Sequence, residues 1–189
     1  MYQRPVVELT NYATVSVEFS AGSMIDCVTW VPASKHEQQY GNDFQVAYND
    51  LIVQILFDNV VVFEQPVGNS VTTFTYRFKD SNELHLKQLK IKLNGIQDQH
   101  HGLINGIGDA AVMLRIHSIK LEGLNMRLAM EDYGQCVYNY NPEEKNIPSE
   151  YMGCNGYQLL EFTTPVYQWL IDTEQKKSYY HDIRNQVNN

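Results

Sequence analysis

From Leu84 to Met130 the chain twice alternates apolar and polar residues, in LHLKQLKIKLNGI and VMLRIHSIKLEGLNMRLAM, on either side of a polar, Gly-rich stretch, QDQHHGLINGIGDA. Successive side chains of an extended strand point to opposite faces, so this pattern describes strands with one face buried. In the first block Leu84 and Leu86 share one parity while Leu89, Ile91 and Leu93 share the other, and the same slip separates Ile116 from Ile119. A slip of one residue turns every later side chain to the opposite face. Each slip therefore predicts a β-bulge or a strand crossing between layers, the corner that a two-sheet sandwich uses. Glu122-Gly123 then makes a tight turn, and Leu124, Met126, Leu128 and Met130 resume the alternation in a returning strand. The Gly-rich stretch reads as a connection, its glycines supplying turn conformations.

The remaining segments add strands to this frame. Val15, Val17 and Phe19 alternate with polar residues until Gly22 interrupts them, and CVTWV forms a second short strand that Pro32 ends. The polar ASKHEQQYGND is an exposed loop with room for one helical turn. In LIVQILFDNVVVF two β-branched runs meet at Asp58-Asn59, residue types that tolerate the left-handed conformation of a type I′ turn, which predicts a hairpin. VTTFTYRF alternates Phe74, Tyr76 and Phe78 with polar residues, and YQLLEF is a late strand. Thr164-Pro165 reads as an N-cap with proline at the first helical position, and Val166, Trp169 and Leu170 follow at helical spacing. The expected fold is a mostly β, antiparallel two-sheet sandwich, jelly-roll-like, with a short C-terminal helix. One domain spans 1–172, followed by a polar tail over 173–189.

Composition narrows the function. At 189 residues the chain is long enough to bury roughly 70% of its unfolded surface. A net charge of −8 argues against a nucleic-acid partner, because phosphate binding needs a local Lys/Arg surplus. Lys87, Lys90 and Lys92 read as the solvent face of a strand. Three cysteines, Cys27, Cys136 and Cys154, form no CxxC pair and suit a reducing compartment, with a Cys136–Cys154 bridge left open. The first residues lack the apolar run of a signal peptide, and no run reaches membrane-spanning length. These features point to a protein made and used in a cytoplasm, or carried from there inside an assembly, with no membrane partner.

The chain carries no GxSxG, HExxH, P-loop or EF-hand signature, and the expectation is a non-enzyme without a cofactor. Gly106-Ile107-Gly108 leads into a strand pattern, where a dinucleotide site needs a helix N-terminus. Asp98, His100, His101 and Asp109 are metal-ligating residue types in one stretch, but adjacent histidines in a loop lack the converging geometry and second shell of a metal site. His117 is read as an outward strand residue. Between Asp132 and Asn155 the composition shifts to Tyr, Asn, Glu and Pro, the mark of a long surface excursion. Tyr133, Tyr138, Tyr140, Tyr151 and Tyr157, with Trp169 beyond them, offer flat apolar rings beside asparagine amides, which suits either a protein interface or sugar rings.

Two resemblances attach to these residues. LFDNVVVF, followed by LHLKQLKIKLNG and RIHSIKLEG, is similar to the strand order of jelly-roll carbohydrate-binding modules, with Asp58-Asn59 where their first turn has Asp-Gly. That resemblance implies a glycan as ligand. The plan ending in FTTPVYQWL resembles small β-sandwich structural proteins of tailed bacteriophages. It implies a virion component of capsid, neck, tail or baseplate, made in a host cytoplasm and oligomeric with other protein subunits. The primary expectation is this assembly role, with the Tyr/Asn excursion and the C-terminal helix buried against neighbouring subunits; carbohydrate binding is the alternative.

Overall fold

A computed structural model describes residues 11–25, 29–35, 51–68, 70–97, 101–104 and 107–174; side chains at 101–104, 107–111 and 128 are outside the description. The strands are β1 (Asn11–Ile25), β2 (Thr29–Pro32), β3 (Ile52–Phe57), β4 (Val60–Pro66), β5 (Thr72–Asp80), β6 (His85–Asn94), β7 (His101–Ile104), β8 (Ile107–Leu121), β9 (Leu124–Asn125), β10 (Gly134–Tyr138), β11 (Asn141–Asn146), β12 (Tyr151–Met152) and β13 (Gly156–Thr164). Helix α1 spans Arg127–Tyr133 and α2 spans residues 166–174. The protein is a mostly β, two-sheet antiparallel sandwich, as the alternation requires.

The first sheet is built on two 15-residue strands, β1 and β8, paired along most of their length. On its other edge β1 carries β5 and then β2, while the free edge of β8 carries β7, β12 and β9 in turn. The second sheet runs β11-β10-β13-β6-β3-β4. Between them lies a seam of aromatic rings. Phe19 of β1 meets Phe63 of β4 edge to face at 5.9 Å, and Phe57 of β3 lies 4.6 Å from Phe78 of β5. Phe162 of β13 touches Phe57, Phe78 and Trp169 of α2. Rings of this size dominate core energetics because each removes a large apolar area from water.

The Asp58-Asn59 turn and the Glu122-Gly123 turn are as expected, with positive φ at all four residues. The slip between Ile116 and Ile119 is a bulge: Glu18 pairs with Ser118 and Phe19 with Ile116, leaving His117 extra on β8. The slip between Leu86 and Leu89 is not a bulge. β6 pairs with β13 without interruption, and Leu84 and Leu86 are exposed, at 78% and 59%. The parity there records two leucines on the solvent side. Lys90 and Lys92 lie on that outer face, but Lys87 has the opposite parity and reaches the Asp58 carboxylate at 2.7 Å.

Four further expectations are corrected. β1 does not stop at Gly22, which pairs with Pro32 and Met113 in a continuous ladder; the glycine is there because the ring of Trp30 on β2 occupies the space a Cβ would fill, 2.4 Å from that position. Leu124-Asn125 alone return as strand, after which Met126 leads into α1. Met126, Ala129, Met130 and Tyr133 recur at i, i+3, i+4 and i+7, a helical stripe packed on the core, so LNMRLAM satisfies both periods. The Tyr/Asn excursion is no loop: it supplies β10, β11 and β12 and touches both sheets. His101–Ile104 and the start of β8 form a hairpin where a plain connection was expected. Gly106 and Cys27 lie outside the described residues.

Helix α2 begins after Thr164-Pro165 with its Val166 N–H donating to the Asp80 carboxylate at 3.0 Å; the Thr164 hydroxyl instead donates to the Glu83 carbonyl. Asp80 is therefore the cap. Val166, Trp169 and Leu170 are buried in the protein's own core, so this face of the helix is not available to a neighbour. The helix also buries Thr173.

Truncating Phe162 to alanine removes the ring that joins both sheets to α2 and is expected to cost about 3–5 kcal/mol of unfolding free energy. Leu86→Ser, on the solvent side, is expected to stay within about 0.5 kcal/mol. Urea denaturation of both variants checks this, and a large loss from Leu86→Ser would contradict the outward placement of that strand end.

Candidate functional site

Beyond β7, the free edge of β8 is covered by β12 and then by β9, and it is open between those two. β12 pairs with Leu114 and Arg115, and the Ile116 N–H donates to the Glu150 carbonyl at 2.7 Å. β9 pairs with Lys120 and Leu121, and the Met126 N–H donates to the Ile119 carbonyl at 2.7 Å. Around the bulge at His117 neither cover continues, and a cavity of about 420 Å³ opens there. That volume lies toward the lower end of the roughly 300–1,000 Å³ typical of small-molecule sites.

Its floor is apolar, made by Ile116, Ile119 and Met130. One wall is the segment Pro148–Tyr151 and the other is Asn125 with Arg127 at the start of α1. Gln158, buried on β13, reaches the floor from the second sheet and donates to the Ser149 carbonyl at 2.5 Å, which ties the wall to the core. The Glu150 carboxylate is held by two guanidiniums. Arg115 approaches one oxygen at 3.3 Å and Arg127 pairs with the other. The Arg115 guanidinium in turn lies 5.4 Å from the centre of the Tyr151 ring and 5.9 Å from that of Trp30. Trp30 and Tyr151 are themselves 5.3 Å apart, tilted by 50°. Planar cation and aromatic faces attract, so these groups hold one another in place.

His117 lines the cavity and shares a hydrogen bond of 2.8 Å with the Ser20 hydroxyl. Burial first, and the Arg115 charge second, push its pKa below the usual histidine range, against the opposing pull of Glu18 and Glu150.

The rings singled out in the sequence fall in four places. Tyr133 and Trp169 pack edge to face at 5.4 Å against the core, where they fasten the two helices. Tyr138 and Tyr140 stack at 5.5 Å on the β10–β11 hairpin, with Tyr140 at its exposed tip. Burial raises the Tyr138 pKa, and the neighbouring Cys136 adds to the shift. Tyr157 lies on the outer face of the second sheet beneath the Lys90 ammonium, 4.8 Å from the ring centre. Only Tyr151 of the six lines the cavity. Cys136 and Cys154 are free thiols, one buried and one half-buried. Asp98 and His100 lie outside the described residues, as do the side chains of His101 and Asp109; among the described residues no three potential metal ligands converge. No helix among them is long and apolar enough to cross a membrane.

Sequence reasoning missed Trp30, Arg115, Glu150 and Gln158, which come from separate strands and loops. It reached His117 only as an outward residue. The signal for His117 was the parity slip, since bulges concentrate beside functional sites.

No protein-family model matches the chain, and no curated protein matches it. Among solved structures it is similar to vCBM60, a calcium-dependent carbohydrate-binding module. The selenomethionine form aligns with a TM-score of 0.43 and 9% identity, over 78% of this chain and 89% of that one. The complex of vCBM60 with galactobiose aligns with a TM-score of 0.40 and 10% identity, over 78% and 96%.

The depressed His117 pKa fixes the sign of a pH effect. A folded state that prefers the neutral ring is stabilised above the unfolded value of 6.5 and loses that stabilisation as pH falls through the folded value. The wild type is therefore expected to lose more stability than His117→Gln on acidification below 6.5. Equal slopes of urea midpoint against pH for the two proteins would refute the coupling.

Proposed function

We propose that the chain is a non-catalytic binding module whose ligand is a carbohydrate seated in the cavity beside β8. The observation that supports this reading is the combination of an apolar floor and a Tyr151 ring with polar groups from three directions: Asn125, the paired Arg127 and Glu150, and His117. A sugar ring has the matching character, with apolar C–H faces and hydroxyls around its rim that both donate and accept. Glu150 has its two oxygens engaged by arginines, which suits a fixed acceptor better than a proton carrier. The net charge of −8 favours a neutral glycan over a polyanion.

A second reading, an assembly module that binds neighbouring subunits of a virion, is supported by the edge strand β4, where Val60 and Val61 are 65% and 48% exposed. Unpaired edges with apolar side chains invite partners. Because α2 belongs to the core, this reading is tested at β4 and not by truncating the helix.

A glycan array followed by calorimetry tests the first reading. Selective binding of a neutral glycan is expected, and Tyr151→Ala and Arg127→Ala are each expected to weaken it about tenfold or more, a loss of about 1.4 kcal/mol. Absence of any glycan binding, together with self-association that Val61→Lys abolishes, would replace this reading with the second.

A further inference from the structure

The aromatic surface at the cavity does not stop at its wall. Tyr151 lines the cavity, and Trp30 lies 5.3 Å beyond it on the outer face of the first sheet. Trp30 is half-buried, seated over Gly22, where any side chain would collide with its ring. β1 keeps its strand pairing through this glycine, so the seat is a built feature of the sheet and not a break in it. The Arg115 guanidinium lies over both rings and also reaches Glu150 in the cavity wall, which connects the cavity and the outer rings.

We propose that this surface is a second subsite and that the ligand is a linear oligosaccharide, with one ring in the cavity against Tyr151 and the next over Trp30. The proposal rests on the carbohydrate reading and adds the length of the ligand to it. The separation of the two aromatic rings is about the step between successive rings of a linear glycan. Stacking on an aromatic face is tolerant of sugar identity and sensitive to its presence, so Trp30 contributes reach and Tyr151 with its polar neighbours contributes selection.

The chain has two tryptophans, and the other, Trp169, is buried in the core, so a ligand-induced change in emission that is lost in Trp30→Ala is assigned to Trp30. The probes are glucose, cellobiose and cellotriose, with xylose, xylobiose and xylotriose in parallel. The dimer and trimer of the recognised series are expected to shift the emission and to bind about tenfold tighter than the monosaccharide. In Trp30→Ala the ratio of trimer to monosaccharide affinity is expected to fall to about one, whatever the monosaccharide affinity itself, and an unchanged circular dichroism spectrum shows that the variant is folded. Equal affinity for monomer and trimer in the wild type, or an unchanged length dependence in Trp30→Ala, overturns the second subsite and leaves the cavity reading standing. If a glycan array shows no binding of any glycan, the carbohydrate reading itself fails, and this proposal with it.

Discussion

The pairing of β1 with β8 is the interaction on which the rest of the structure depends. Each of these strands is 15 residues long and serves different partners along its length: β5 then β2 on β1, and β7, β12 and β9 on β8. A strand of fifteen residues twists, and without correction its apolar side chains would leave the core. The extra residue at His117 resets the alternation, so Ile119 and Leu121 face inward beyond it as Leu114 and Ile116 do before it. The same residue interrupts the ladder on the free edge. Core and cavity thus have one cause.

The second sheet is held to this frame by aromatic rings more than by shared strands. Phe57, Phe63 and Phe162 come from three strands of one sheet, and their partners Phe19, Phe74 and Phe78 come from two strands of the other. Such contacts are short in space and long in sequence. The two helices that close the core are fastened to the same seam, Trp169 against Phe162 and Tyr133 against Trp169.

Much of this plan was legible from the residues. Asp58-Asn59 carried its turn type in its chemistry, and the Ile116–Ile119 slip was a true bulge. The equivalent slip at Leu86 was not, because an apolar residue on an exposed strand end looks the same in sequence as one in the core. LNMRLAM fitted two periods, and only packing against the core decides between them. The Tyr, Asn and Pro content of residues 132–155 suggested a loop, yet β10 pairs with β13 in unbroken register from Gly134 to Tyr138 and extends the sheet. Of the site, Tyr151 and, through its slip, His117 were accessible. Trp30, Glu150 and Gln158 were not, because nothing local distinguishes a tryptophan that will lie beside a tyrosine more than a hundred positions away.

The order of the polar wall follows from how the Glu150 carboxylate is held. Glu150 sits on a segment without regular structure, and such a residue would ordinarily lose its geometry to water. Two guanidiniums hold it, and one of these, Arg115, projects from a central strand and faces two rings. A lysine at 115 could supply the charge but not the planar surface that meets Trp30 and Tyr151, so the arrangement depends on the guanidinium's shape as well as its sign. Polar groups fixed in this way lose little freedom when a ligand arrives, and less of the interaction energy is spent on ordering them. The bulge therefore does more than open a space: by keeping Arg115 on a paired strand beside an unpaired edge, it places an ordered polar wall next to a cavity that remains open.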